Sequence, residues 1–429
     1  MKPNTLSFFG MSHLGIVYSI SIANKGFYVK CFDHSSDLIS KISKRGFPIK
    51  EPQLDILAAS NVSRLHYSDN LEDVIDCDLA FLSLDVKTDE NGRVDLGEII
   101  EYFEIIDSNL DLSIPLVILS QIPIGFCRRL SNTSRRKIFY QVETLVFGDA
   151  IRRALSPERV IVGLPDQNQA RITPVYLSVL KSFDCPLIFM TYESAEICKM
   201  AINFLLASSI TATNYLAEIC ELVGANWQEI TPALQLDPRI GKNAYLKPGL
   251  GISGGNIERD IASLKSVNTL QHSSGNSFPE AIQKFSCWRK KWPTIQLRNF
   301  LLHHDSNSIK IGLWGLSYKQ DTDSIKNSPS VEFLEELHES FEILAFDPEV
   351  RTLMTTHSLI TLCADEMVLL ESIDVLFILT PWDIFRKKLS AITNTFRGSL
   401  IVDPYSLIEL DIEVPRSISY VALGKPRIN

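Results

Sequence analysis

Two short patterns in this 429-residue chain carry side chains able to do chemistry. The first is Gly10-Met-Ser-His-Leu-Gly15, set between an apolar run and a helix-like run, with Asp33 closing the next apolar run. A dinucleotide site needs glycine where backbone meets diphosphate, helix amides facing that charge, and an acid for the ribose hydroxyls. Gly10, Gly15 and Asp33 meet these needs, and His13 and Leu14 complete the turn. Ser12 replaces the middle glycine, so its side chain is expected to crowd the diphosphate or hydrogen-bond to it. Asp33 would repel a 2′-phosphate, which favours NAD over NADP. On its own the pattern also fits a tight strand-to-helix turn with no ligand. The second pattern is Lys199 and Asn203, four apart on a predicted helix and so on one face. Alone, such a pair is most often a solvated helix surface.

Holding these groups takes alternating strands and helices. Leu6-Ser-Phe-Phe-Gly10 reads as a strand, residues 17–23 as a helix, and Tyr28-Val-Lys-Cys-Phe-Asp33 as the next strand, which makes a βαβ unit. Further strands are expected at 79–84 and 116–119, giving a parallel sheet wrapped by helices. From Glu193 the apolar spacing turns helical and runs to a stop at Gly224. Residues 266–278 are polar, with Ser-Ser-Gly-Asn-Ser, and read as a loop. Strands resume at 309–314, 341–346, 375–379 and 400–402, forming a second sheet. The expected fold is α/β: two Rossmann-like parallel-sheet domains joined by a long helix and a central helical domain.

Composition narrows the function classes. The length exceeds one ordinary core, and 45% hydrophobic residues describe a globular chain. A net charge of −9 argues against a nucleic-acid surface, and Arg289-Lys290-Lys291 is too short to alter that. The eight cysteines are scattered without a C-x-x-C pair, so neither a disulfide framework nor a metal site is expected. The N-terminus lacks a small-residue cleavage site, and no run approaches about twenty apolar residues, so a cytoplasmic protein off the membrane is expected.

Beyond these features, many spaced motifs resemble the UDP-glucose/GDP-mannose dehydrogenase family. They are Glu51-Pro-Gln-Leu54, Asp95-Leu96, Glu193-Ser-Ala-Glu-Ile-Cys-Lys199 with Asn203, Leu236-Asp-Pro-Arg-Ile-Gly241, the loop from Pro248 to Asp260, Gly315-Leu-Ser-Tyr-Lys319, Thr322-Asp323, Ser328-Pro329, Asp347-Pro348 and Thr380-Pro-Trp382. They occur in family order over nearly the whole chain. The resemblance implies an NAD-binding Rossmann domain (1–192), a central helical dimerisation domain (193–300) and a C-terminal domain for the nucleotide of an NDP-sugar (301–429). It implies that Lys199 and Asn203 hold the reacting sugar oxygen, that Asp260 lies near the reacting carbon, and that Glu143 acts as base. It also places Thr144, Leu145, Tyr245, Leu246, Gly251, Tyr318 and Lys319 at the sugar nucleotide, and Gln121 and Lys326 at NAD. A homodimer through the central helix is the family precedent.

The departures bear on chemistry. In Pro248-Gly-Leu-Gly-Ile-Ser-Gly-Gly-Asn-Ile-Glu-Arg-Asp260, Asn256 stands where the family carries a nucleophilic cysteine. Val86-Lys87 replaces Thr-Pro, Ser120-Gln-Ile-Pro123 replaces Ser-Thr-x-Pro, Thr322-Asp-Ser-Ile-Lys326 replaces Thr-Asp-Asp-x-Arg, and Asp403-Pro-Tyr405 replaces Asp-Gly-Arg. Around Glu143, Val142 replaces the proline and Phe147 the second acid. The family takes four electrons from a primary alcohol: a first oxidation gives an aldehyde, cysteine traps it, a second leaves a thioester, and water frees the carboxylate. Asparagine cannot form the thiohemiacetal. The expectation is therefore an NAD-dependent NDP-sugar oxidoreductase, with UDP favoured, that stops after one two-electron oxidation or oxidises only transiently. The alternative is a catalytically silent sugar-nucleotide or NAD binder acting as a partner of an active enzyme.

Overall fold

The computed structural model describes residues 4–88, 94–265, 277–304, 309–337, 340–353, 359–388, 392, 394–408 and 417–426. The chain divides into two compact units, Met1–Ile202 and Asn203–Asn429.

In the first unit the strands are β1 (Thr5–Phe9), β2 (Tyr28–Phe32), β3 (Leu65–Ser68), β4 (Leu79–Leu82), β5 (Lys87–Thr88), β6 (Val94–Asp95), β7 (Leu116–Ile118), β8 (Ile138–Gln141), β9 (Val160–Leu164) and β10 (Leu187–Thr191). Eight of them form one sheet in the order β10-β9-β8-β7-β4-β1-β2-β3, while β5 and β6 pair separately. All neighbours in the large sheet run parallel except β8 and β9. Every side chain of β4 and β7 is buried, because helices cover both faces of a parallel sheet and alternation is lost. The chain builds β1, β2 and β3 outward to one edge and then returns to place β4 beside β1. Strand order thus reverses between β1 and β4, and their carboxyl ends open the crevice where α/β sheets bind ligands.

The helix His13–Asn24 leaves β1 with ten of its residues buried. It is apolar nearly all round, as a helix enclosed in a core must be.

The 32-residue helix Tyr192–Val223 ends, as expected, at Gly224, whose φ of 77° supplies the left-handed stop. Its first turns are fastened inside the first unit. The Tyr192 hydroxyl donates to the Ile138 carbonyl at 2.6 Å, and fully buried Glu196 accepts from the Gly125 and Cys127 amides at 2.6 and 2.9 Å. By length and composition this helix is able to cross a membrane, contrary to the expectation that no such run exists. Serines, threonines and asparagines interrupt the apolar run, but no charge falls between Lys199 and Glu218.

In the second unit β11 (Lys310–Trp314), β12 (Glu342–Phe346), β13 (Ile360–Leu362), β14 (Val375–Ile378), β15 (Leu400–Val402) and β16 (Ser419–Val421) form a wholly parallel sheet. Its order, β13-β12-β11-β14-β15-β16, again reverses beside the first strand. The loop expected over 266–278 lies largely outside the described residues; the helix Ser277–Lys290 takes its last two.

Each unit closes its first strand with a positive-φ glycine and its second with an acid. In the second unit Asp347 is saturated: Leu316 N–H, Ser317 N–H and Oγ–H, and the Trp382 indole reach one oxygen, and Glu349 and Val350 N–H the other. Among the described residues Asp33 accepts only Met11 N–H at 2.8 Å and Ser35 N–H at 3.0 Å.

Glu196 ties the long helix to the start of the helix Phe126–Thr133, so Glu196→Ala, which strands two amides, is expected to lower stability by about 2 kcal/mol in urea unfolding. Desolvation raises the Glu196 carboxyl above its ordinary range, against the pull of the two amides. A raised folded-state pKa gives stability that is full below the unfolded value and lost as pH rises through the folded one. Glu196→Gln should therefore flatten the decline in urea midpoint as pH is raised from about 4.

Candidate active site

The glycine turn is shaped by contact distances. A Cβ on Gly15 would stand 2.0 Å from the Gly10 carbonyl oxygen, and Gly10 itself has φ +94° with Leu84 2.4 Å from its missing Cβ. Only hydrogen fits at either position. Asp33 locks the turn from β2 through Met11 N–H and keeps acceptor capacity to spare. Ser12 has partners within its own chain. Its hydroxyl donates to the Ser83 carbonyl at 3.0 Å and accepts from Asp85 N–H at 2.9 Å, so it clasps the end of β4. His13 turns to Glu51 at 2.8 Å, and its ring stacks at a tilt against Phe147 with 4.3 Å between centroids. Glu51 also accepts Gly148 and Ala150 N–H, at 3.0 and 3.1 Å, and so brackets the stretch after Glu143. Leu14 is buried, and its amide points toward an Asp85 carboxylate oxygen at 3.4 Å.

Gln121 follows β7, Glu143 follows β8, and Lys199 lies on the long helix; the fold brings these three together. Lys199 Nζ is 3.5 Å from Glu143 Oε2, which also accepts from Gln121 Nε2 at 3.1 Å. The other Glu143 oxygen takes Leu145 N–H. Glu143 and Lys199 are only 7% and 9% exposed, so the acid is not an outward loop residue. Gln121 Oε1 is buried with no partner. An orphaned acceptor beside a buried ion pair is a group that calls for a polar partner. Glycine cradle, Asp33 and Gln121 together fit NAD. Thr144 and Leu145 are half-buried, with Arg153 holding the Thr144 carbonyl at 2.7 Å and Leu145 packed on the core.

In the second unit Asn203 Nδ2 donates to buried Asp260 at 2.6 Å, and Arg259 Nε lies 3.3 Å from the other Asp260 oxygen. Arg259 Nη2 is buried and unpaired, a donor that the sequence reading did not single out. Its cue was the residue type: a guanidinium immediately before the acid. Asn256 is exposed and begins the helix Asn256–Lys265. Gly255 N–H before it bonds Glu258 at 2.8 Å. The glycine loop rests on two of the expected ligand residues: Gly254 has the Tyr318 ring 2.5 Å from its missing Cβ, and Gly255 has Lys326 at 3.0 Å. Gly251 likewise has Ser286 at 2.6 Å. Lys326 thus packs against this loop, and Lys319 Nζ lies 5.7 Å over the Tyr318 ring. The Tyr245 side chain is exposed while its carbonyl is held by Thr213 at 2.7 Å, and Leu246 packs by Trp227.

No described cysteine sits in this loop. Burial pushes the Cys31 thiol to about 12 and Cys77 to about 11, and raises Cys220 and Cys363. At neutral pH these four are protonated and poorly nucleophilic.

Comparison with known proteins gives the family. Family models described as the NAD binding, central and UDP binding domains of the UDP-glucose/GDP-mannose dehydrogenase family match residues 4–180, 193–283 and 312–409. A UDP-glucose 6-dehydrogenase of Rhizobium meliloti is 28% identical over 445 residues, covering 98% of this chain and 99% of the relative. One of Rickettsia typhi is 26% identical over 433 residues, covering 98% and 99%. A UDP-D-ManNAc dehydrogenase from Pyrococcus horikoshii shares the fold with a TM-score of 0.84 at 20% identity, over 99% of this chain and 100% of that one. A UDP-glucose dehydrogenase from Pyrobaculum islandicum superposes with the same TM-score of 0.84 at 22% identity, over 99% and 98%. With all three domain models matched in order around a dinucleotide cradle and a buried lysine–glutamate pair, the chain belongs to the UDP-glucose/GDP-mannose dehydrogenase family and is an NAD-dependent oxidoreductase.

Proposed function

We propose that the chain oxidises one CH–OH of a UDP-sugar and stops at the carbonyl compound, or oxidises the sugar transiently and reduces it back. The observation that carries this reading is the buried Lys199–Glu143 pair with the open acceptor of Gln121. NAD, when bound, takes the hydride. Glu143 receives the hydroxyl proton, directly or through a water, while the Lys199 ammonium steadies the negative charge gathering on oxygen. Asp260 orients the Asn203 amide, and Arg259 keeps a spare donor for the substrate. Tyr318, Lys319, Tyr245, Leu246 and Gly251 serve the nucleotide sugar. The relatives' printed substrate, UDP-glucose, supports the choice of nucleotide.

The stop after one step follows from Asn256. Placed where the family's thiol would be, it offers neither a thiolate nor an acyl carrier, so an aldehyde is released instead of being trapped. The silent-binder alternative draws its support from the altered cofactor contacts together with the missing thiol. Survival of Lys199, Glu143, Asn203 and Asp260 favours the enzyme.

The expected domain division, 1–192, 193–300 and 301–429, and a homodimer are part of this proposal. Leu205, Leu216, Leu222 and Val223 leave the long helix with exposed apolar side chains of the sort a second copy covers. A cytoplasmic location, with no nucleic acid or membrane as partner, accords with a substrate that is itself a charged small molecule.

The first test is NADH formed per UDP-sugar consumed, with product masses: one NADH and a carbonyl product is the expected result, and two NADH with a uronate would show that another group replaces the thiol. Lys199→Met should lower kcat about 100-fold with little change in KM, the pattern of a group that acts mainly on the transition state. Asn256→Cys places a thiol at a helix start, where the amide dipoles favour thiolate. It should raise the yield to two NADH per sugar and give a sugar-thioester adduct by intact mass. An unchanged product, with sugar binding retained, would count against Asn256 as the nucleophile position.

A further inference from the structure

We propose that Asp85 is an internal counter-anion of the cofactor site: its carboxylate holds the amide end of the helix His13–Asn24, where the diphosphate of NAD docks, and must swing aside before the dinucleotide can enter. This rests on the NAD reading and adds a gate to it.

Asp85 lies just past β4, at the point where strand order reverses between β1 and β4. The end of β4 is tied to the glycine turn by Ser12, whose hydroxyl bonds both the Ser83 carbonyl and Asp85 N–H. The Asp85 backbone is therefore fixed beside the turn, and its side chain is the part left to move. That side chain puts Oδ2 3.4 Å from Leu14 N–H, one of the amides that a helix start presents to an anion. A carboxylate and a diphosphate cannot share those amides, since each brings negative charge to the same partial positive site. Desolvation raises the Asp85 pKa and nearby Glu143 adds to the rise, while His13 and Ser12 oppose it, even though the residue keeps solvent-exposed area. That exposure gives the displaced side chain a way out into water without unpacking the core.

Titration of purified protein with NAD, ADP-ribose and adenosine by calorimetry tests the gate in the wild type, Asp85→Gly and Asp85→Asn. Glycine removes the anion and leaves the Ser12–backbone bond, and asparagine keeps the shape without the charge. Both variants are expected to bind NAD and ADP-ribose at least tenfold more tightly than the wild type, with adenosine, which lacks the diphosphate, unchanged. Unchanged or weaker NAD binding in both variants overturns the gate while leaving the cofactor reading in place. An equal gain for adenosine overturns it too, because the effect would not lie at the diphosphate. If none of the three proteins binds NAD, the cofactor reading itself falls, and the gate with it.

Discussion

A gap too narrow for one carbon atom sets the geometry of the cofactor crevice. The Gly10 carbonyl oxygen would be 2.0 Å from any Cβ on Gly15, so the first helix approaches the end of β1 as closely as backbone can. That approach aims the opening amides of His13–Asn24 at the reversal between β1 and β4. Asp33 reaches across from β2 to hold the turn, and Ser12 fastens it to β4. Three neighbouring strands thus converge on one short segment. A side chain at residue 15 would lever the helix away and undo all of these bonds together.

Much of this was legible in the residues. Gly10, Gly15 and Asp33 announce themselves because glycine at a strand-to-helix turn and an acid at the next strand end have few other uses in combination. Strands such as β4 and β11 are continuous apolar runs, and the long helix declares its period and its stop at Gly224. Other features depend on distant partners and left no local trace. Strands β3, β8, β9, β10, β13 and β16 were not anticipated: the first ends in polar residues, and the antiparallel pairing of β8 with β9 is decided across the sheet. Ser12 reads as a defective glycine, yet it is a clasp, which only the neighbouring end of β4 reveals. Glu51 stood out as part of a motif, but its work of bracketing His13 with Gly148 and Ala150 joins residues about 100 positions apart. Arg259 offered only a weak cue, a guanidinium beside an acid, since charged residues at a helix start are usually solvated; its buried, unpaired nitrogen appears only on folding.

Each unit holds its own cluster of candidate residues. The first holds the ion pair of Lys199 and Glu143, the second the Asn203–Asp260–Arg259 cluster and the glycine loop. Lys199 and Asn203 are nevertheless one turn apart on a single helix.

The two acids that close the second strand of each sheet differ in one respect with a wider consequence. Asp347 spends its acceptor capacity on its own chain and works as a rivet, whereas Asp33, among the described residues, makes two bonds and keeps acceptor capacity open. The same residue at the same place in the same topology is saturated or left with open lone pairs according to how many neighbours it has been given. In a fold that uses one blueprint twice, losing internal partners can open a binding site as effectively as gaining a new side chain, and adding an indole or a hydroxyl can close one.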